Sequence, residues 1–348
     1  MLEDDIITES NNPTAPDEVM DAPSSLDREA ILKDYEICCI SRETSLLARK
    51  EVLTGKAKFG ITGDGKELPQ VVLAKTYRPG DFRSGYYRDQ TLLFALDLTT
   101  VEDFFAQLYS DSRNDPFSGG RQMNSHFATP LIDDGGQWTD HRDRYNSSAD
   151  ISSTAGQMAR ALGLALASKK YRELNRQPEA DRFSDRGNEV VFCTIGDAST
   201  SEGVFWETMN AAAVLQVPLV VSVWDDGYGI SVPVEYQTVK GSISEALQGF
   251  QSDDPDHGID LYVVDGWDYP ALLQTYQLAV DRSRRTHKPA LVHVRELTQP
   301  QGHSTSGSHE RYKSVERLNW EREHDCLLRL KQWIIEEGLA TDEELTAL

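Results

Sequence analysis

The chain has 348 residues, with 35 Lys and Arg against 57 Asp and Glu and a formal net charge of −22. So acidic a surface argues against nucleic acid or an anionic membrane as the main partner, and no apolar run approaches the roughly 20 residues of a membrane-spanning helix. This length can bury a substantial core, as one large α/β domain with extensions or as two domains. Cys38, Cys39, Cys193 and Cys326 have no metal-site spacing, and the N-terminus lacks the basic and apolar regions of a signal peptide. Reduced thiols in a cytoplasmic protein are the expectation.

Residues 1–26 are rich in Asp, Glu, Asn, Pro and Ser and read as a disordered acidic leader to a folded part over 27–348. Ser25 precedes Leu26, Ile31, Leu32, Tyr35, Ile37 and Ile40, whose spacing predicts a helix running on through Val52. The Gly-rich run 55–65 ends it. Its Gly63-Asp64-Gly65 follows no apolar strand and reads as a turn. A short helix is expected over 68–77. In GDFRSGYYRDQTLLFAL, Tyr87 and Arg88 precede an apolar run. They read either as packing plus a surface ion pair or as a hydroxyl and a guanidinium for phosphate oxygens. A helix over 101–109 is expected, capped by Thr99 or Thr100 with Glu102 and Asp103 in its first turn.

Residues 111–150 show no periodicity. A loop this long is usually functional or disordered, and Phe117, Phe127, Trp138 and Tyr145 argue against plain disorder. His141 reads as a solvated loop histidine, while His126 is open between that reading and a functional one. Ser152-Ser153-Thr154 then opens a long helix over 155–171, whose Ala, Gly and Leu suit close packing on a helix, a sheet or another subunit. Residues 172–189 read as a charged, solvated excursion.

The stretch 190–231 has the strongest chemical pattern. An apolar run, 190–195, meets Gly196-Asp197-Ala198-Ser199. A helix-like segment, 201–216, leads to a second apolar run, 217–223, and to Asp225-Asp226-Gly227-Tyr228. This reads as a parallel β-α-β unit with a right-handed crossover. If the strands are neighbours, about 4.8 Å apart, Asp197 and Asp226 reach one small cation. Free N–H groups at the helix start, 199–203, then face an anion beside it. Such an oxygen-rich site suits a hard divalent ion clamping a phosphate. The plainer alternative is that both acids cap or solvate strand-end loops.

Beyond Pro233, a helix over 244–250, a strand over 260–264, a helix over 269–284 and a strand over 289–295 are expected. The acidic SDDPDHG between them lacks calcium-loop spacing and is interrupted by Pro255. The repeated strand, helix, strand predicts a three-layer α/β/α, doubly wound, mainly parallel sheet with ligands at the strand C-termini. His303 follows the last strand on that edge and reads as a site residue. One helix is expected over 320–337, then a capping box of Thr341 and Glu344. The chain stops before that last helix has a C-terminal signal, so the sequence is expected to be a piece of a longer polypeptide.

Taken in order, YYRD, GGRQMNSHFAT, GDASTSEG, WDDGYGIS and GHSTS resemble the alpha-type half of the thiamine-diphosphate-dependent 2-oxoacid dehydrogenases. The likeness is to the decarboxylating component of the branched-chain and pyruvate class, over roughly residues 27–348. The resemblance implies thiamine diphosphate and Mg2+ as cofactors. It implies Asp197, Asp226 and the Tyr228 carbonyl as Mg2+ ligands, and Tyr87, Arg88, Gly196, Asp197, Ala198 and Ser199 around the diphosphate. Ser152 and Thr154 would touch the middle of the cofactor. His126 and His303 would be the active-site histidines near the thiazolium and an incoming lipoyl group. Implied partners are a beta-type half, as a second chain or as fused sequence beyond Leu348, and the lipoyl domain of an acyltransferase. The assembly would be a heterotetramer or a homodimer of fused chains. The glutamate that drives cofactor deprotonation lies on the family's beta half, so the alpha part alone is expected to be inactive.

Five positions depart from the family pattern. Ala198 replaces a glycine, Asp225-Asp226 replaces Asn-Asn, Gln299 replaces an arginine, and Gly307 replaces an aspartate. The second carboxylate weakens the metal's pull on a diphosphate, and Arg88 is the residue expected to offset it. These departures keep open a transketolase-type or acetoin-cleaving lyase and a non-catalytic paralogue. A nucleotide-binding α/β protein is the weakest alternative, because no Gly-x-Gly-x-x-Gly follows a strand.

Overall fold

Eight strands are present among the described residues: β1 (Phe82–Ser84), β2 (Asn146–Ser147), β3 (Val191–Gly196), β4 (Leu219–Trp224), β5 (Tyr228–Gly229), β6 (Val232–Pro233), β7 (Asp260–Asp265) and β8 (Ala290–Arg295). Six of them form a parallel sheet in the order β2-β1-β3-β4-β8-β7, and β5 and β6 pair as a separate antiparallel hairpin. The computed structural model describes residues 27–174, 182–254, 257–305 and 309–348. The acidic leader expected at 1–26, part of the charged excursion, Pro255 and Gly307 lie outside them.

The helices are α1 (Arg28–Leu53), α2 (Glu67–Ala74), α3 (Gln90–Ala95), α4 (Val101–Leu108), α5 (Gln157–Leu174), α6 (Gly203–Leu215), α7 (Ile243–Ala246), α8 (Tyr269–Thr286), α9 (Val315–Glu323), α10 (Cys326–Glu336) and α11 (Asp342–Ala347). They cover both faces of the sheet, which is why its central strands are apolar on both sides. On one face, Val191, Cys193, Ile195, Val221 and Val223 pack with Met158, Ala161 and Ala165 of α5 and Phe205, Met209 and Ala212 of α6. On the other, Phe192, Val220, Val292 and Val294 pack with α2 and with Tyr276, Ala279 and Val280 of α8. The alternation follows the two-residue period of a strand, and the three-layer, doubly wound α/β/α sheet is the one the sequence pattern predicts.

Three boundaries differ from expectation for local reasons. The helix expected from residue 201 is preceded by a 3-10 turn, Asp197–Ser201, and Glu202 is extended at ψ 136°, so α6 starts only at Gly203. The single helix expected over 320–337 is two. His324 closes α9, and the Asp325 carboxylate caps α10 by accepting from the Leu327 and Leu328 amides. The helix expected over 244–250 is the short α7 followed by a 3-10 turn, Gln248–Phe250.

The chain leaves β1 toward β2 on one side of the sheet and leaves β3 toward β4 on the other. This reversal opens a crevice at the strand C-termini between β1 and β3, the usual ligand position in a doubly wound sheet. Tyr87 and Arg88 follow β1, Asp197 follows β3 and Asp226 follows β4.

A buried ionic frame fixes the loops around the crevice. The fully buried Arg83 of β1 donates from Nε to Asp89 at 2.8 Å, from Nη2 to both Asp150 oxygens at 2.8 and 2.9 Å, and from Nη1 to Ser147 at 2.7 Å. Thr194 of β3 donates to Asp89 at 2.6 Å, and the Phe127 amide donates to Asp150 at 3.0 Å. One guanidinium thus ties β1, β2 and β3 to the Tyr87-Arg88 turn and to the His126 loop. Arg83→Met would leave two buried carboxylates without a counter-ion. Loss of about 3–5 kcal/mol in urea unfolding is expected; a loss under 1 kcal/mol would contradict the assignment of the frame to Arg83.

Candidate cofactor and metal site

The parallel register sets Gly196 of β3 opposite Trp224 of β4, so the residues that follow each strand leave the sheet side by side. Asp197 and Asp226 are both buried there. Asp197 opens the 3-10 turn, and its Oδ2 has no hydrogen-bond partner among the described residues. Burial, and then the negative charges of Asp225 and Asp226, push its carboxyl well above the usual carboxylate range, against a smaller opposing pull from Lys66. Asp226 is the opposite case. Burial opposes its ionisation, but His303 and Lys66 outweigh burial and hold it well below the usual range.

Lys66 is the residue that sequence reasoning missed. It is 1% exposed and lies at the N-terminus of α2. Its Nζ donates to Asp226 Oδ2 at 2.6 Å, to Gln299 Oε1 at 2.7 Å and to the Thr298 carbonyl at 3.1 Å. The Gly63-Asp64-Gly65 turn delivers it. A Cβ on Gly63 would meet the Arg88 carbonyl at 2.3 Å, and one on Gly65, at φ +86°, would meet the Thr298 carbonyl at 2.2 Å. Only glycine allows that approach, so the turn is part of the site and not simply a connection.

The Arg88 guanidinium donates to the carbonyls of Thr62 at 2.7 Å and His303 at 2.8 Å, so it clamps the His303 loop, and the cation in contact with Asp226 is Lys66. The half-buried Tyr87 stacks beside it, with the guanidinium 5.5 Å from the ring centre. The Tyr86 hydroxyl, buried near Gly196, has no partner among the described residues.

The Asp225 carboxylate has its own partners. It accepts from His293 Nε2 at 2.9 Å and from the Gly227 amide at 2.8 Å, and His293 Nδ1 meets Ser244 at 2.9 Å. The loop that follows is held from the C-terminal region. Arg317 of α9 donates to the Asp226 carbonyl at 2.7 Å and lies 5.5 Å over the Tyr228 ring. Tyr228 is half-buried in β5, and the next turn carries Ile230 at φ +58°, a strained conformation for a β-branched residue. Ala198 is half-buried and Ser199 buried in the 3-10 turn. A Cβ on Gly229 would meet Ala198 at 2.7 Å, so the two short loops are in close contact.

His303 lies 3.2 Å from Asp226 through Nε2, and its Nδ1 has no partner among the described residues. Burial lowers its pKa, with Asp226 pulling the other way. A neutral ring donating Nε2–H to the carboxylate keeps Nδ1 as a free base. His126 is buried, with Nδ1 on the Asn124 carbonyl at 3.1 Å and Nε2 on the Ser152 hydroxyl at 2.8 Å, and burial lowers its pKa. The structure therefore joins His126 to Ser152 and His303 to Asp226. Thr154 is exposed two residues on. His141, expected to be solvated, is buried and packs edge-on against Trp138, Phe183 and Phe82.

No three His, Cys, Asp or Glu side chains converge as a metal group among the described residues. Two carboxylates are nevertheless a fitting protein share for Mg2+, which takes much of its shell from phosphate oxygens and water. The Asp197 oxygen without a partner among the described residues, on a carboxyl raised in pKa by burial and by its acidic neighbours, is suited to accept a cation. Asp197→Asn is expected to stabilise the ligand-free protein by about 1 kcal/mol or more in thermal unfolding, because a repelled buried charge is removed. It should also abolish Mg2+-dependent binding of thiamine diphosphate in calorimetry. A destabilised variant that binds normally would sink the metal assignment.

The Dehydrogenase E1 component family matches residues 39–348. The 2-oxoisovalerate dehydrogenase subunit alpha of Bacillus subtilis is 29% identical over 322 residues, covering 90% of this chain and 86% of that protein. The mitochondrial 2-oxoisovalerate dehydrogenase subunit alpha of Mus musculus is 27% identical over 321 residues, covering 92% of this chain but only 64% of its own length. The pyruvate dehydrogenase E1 component subunit alpha of Acholeplasma laidlawii is 28% identical over 322 residues, covering 92% of this chain and 79% of its own. With the match running from the first long helix through the strand-end site to the last residue, the chain belongs to the dehydrogenase E1 component family.

Proposed function

We propose that this chain is the alpha-type part of a 2-oxoacid dehydrogenase decarboxylating component and binds thiamine diphosphate with Mg2+ at the β1–β3–β4 crevice. The observation that carries the proposal is the pair of buried carboxylates at neighbouring strand ends, one of them without a counter-ion among the described residues. Asp197, Asp226 and the Tyr228 carbonyl would hold the ion. Gly196, Ala198 and Ser199 in the 3-10 turn, with Tyr87 and Arg88, would flank the diphosphate. When bound, the cofactor supplies an electron sink for loss of CO2 from a 2-oxoacid.

The chain's own residues position and move protons. Burial keeps His126 and His303 neutral near pH 7, so each ring is able to accept a proton. His303 is aimed by Asp226 and clamped by Arg88. His126 is held by Asn124 and Ser152, and Ser152 with Thr154 would meet the middle of the cofactor. The names of the relatives favour a branched-chain 2-oxoacid or pyruvate as substrate.

A beta-type half, in a second chain or fused, would complete the site, in a heterotetramer or a homodimer of fused chains, and a lipoyl domain would take the acyl group. An exposed apolar surface beside the metal loop, Ile230, Val232, Tyr236 and Val239, supports such a partner. A cytoplasmic location belongs to the same proposal, supported by four free cysteines.

The test is acylation of a lipoyl domain, with 2-oxoisovalerate and with pyruvate, by this chain alone and together with a beta-type half. Acylation that needs the second half, thiamine diphosphate and Mg2+ is expected. Release of free aldehyde without acylation would instead identify a lyase.

A further inference from the structure

Lys66 is buried, yet it lies against the metal site without being one of its ligands. All three of its ammonium protons are used, on Asp226, Gln299 and the Thr298 carbonyl, at 2.6, 2.7 and 3.1 Å. The cage is built from distant parts of the chain: the glycine turn before α2, the loop after β4 and the loop after β8. Each acceptor is suited to a cation. Gln299 offers a carbonyl oxygen where an arginine would offer only donors, and its Nε2 has no partner among the described residues.

We propose that Lys66 is the fixed internal counter-cation of Asp226 and a positioning residue for the metal and diphosphate. This rests on the metal site proposed above. The charge argument is simple. Two carboxylates would neutralise a divalent ion, leaving little net attraction for a diphosphate. With one carboxylate already offset by Lys66, an ion bound at Asp197 and Asp226 keeps about one net positive charge for the phosphate oxygens. The second aspartate, the buried lysine and Gln299 are then one arrangement, in which the positive charge sits at position 66.

The same arrangement restrains binding of the bare ion, because Lys66 competes for Asp226. Removing it should therefore change metal and cofactor affinity in opposite directions, which a purely structural role would not do. The experiment is calorimetry of the full chain with MgCl2 alone, and with thiamine diphosphate at saturating Mg2+, for Lys66→Gln, Asp226→Asn and the double variant. Lys66→Gln is expected to bind Mg2+ alone about tenfold more tightly, given a charge removed roughly 4 Å away, and to bind thiamine diphosphate at least tenfold more weakly. The double variant restores the wild-type net charge of the site and keeps an amide oxygen at position 226 for the ion, so it should bind Mg2+ more weakly and thiamine diphosphate more tightly than Lys66→Gln. If Lys66→Gln fails to fold, the double variant still decides by comparison with wild type, since it leaves neither position 66 nor position 226 charged and so no unpaired carboxylate at 226.

Mg2+ affinity within twofold of wild type in Lys66→Gln, or a double variant no better than either single one, would overturn the proposal while leaving the site itself standing. A wild-type chain that binds thiamine diphosphate equally with and without Mg2+ would overturn the metal site and this proposal together.

Discussion

Two carboxylates buried at adjacent strand ends repel each other and are poorly solvated, and the local structure is organised around that fact. Asp226 is stabilised by a lysine brought from 160 residues away and by His303. Asp197 has no comparable partner among the described residues, and burial and its acidic neighbours raise its pKa. Asp225, the third acid of the group, is tied to His293, while its charge adds to the repulsion on Asp197. The protein thus retains an electrostatic deficit at one defined position, a cost in stability that makes sense where a cation binds.

The remaining loops are held by groups with no direct share in that chemistry. Arg83 locks the turn carrying Tyr87 and Arg88 and the loop carrying His126 to the first three strands of the sheet. Arg88 ties the His303 loop to Thr62, and Arg317 ties α9 to the carbonyl of Asp226. Guanidinium groups serve in all three places because a planar fork can bridge several oxygens at once. The crevice is therefore lined by long connections that are each pinned at one or two points, which is what a site assembled from four strand ends requires.

Much of this was legible in the sequence. Parallel β-α-β order follows from apolar runs separated by one helix length, and strand-end positions for Asp197, Asp226 and His303 follow from that order. Local chemistry also read correctly at Thr100 and Thr341, where capping boxes form. The parts that did not read are long-range and polar. Lys66 stands in a glycine turn with no periodic signal, though a lysine leading into the mostly apolar ELPQVVLA segment was a hint that its charge is buried. Arg83 sits in a three-residue strand, too short to show alternation. His141 looked like a solvated loop residue because its aromatic neighbours, Trp138 and Phe183, come from either side of a polar stretch. The end of the 3-10 turn after β3, residues 199–201, was read as the start of α6 because Ser and Thr suit both.

The central claim is that the two strand-end carboxylates hold a metal while Lys66 stays on Asp226. A crystal structure of the chain soaked with Mn2+ and thiamine diphosphate tests it most directly, because the anomalous signal locates the ion without assumption. The account predicts one strong peak within about 2.3 Å of an Asp197 oxygen, an Asp226 oxygen and the Tyr228 carbonyl, with the Lys66 ammonium still in contact with Asp226. A peak elsewhere, or an ordered cofactor with no metal between these residues, would contradict it.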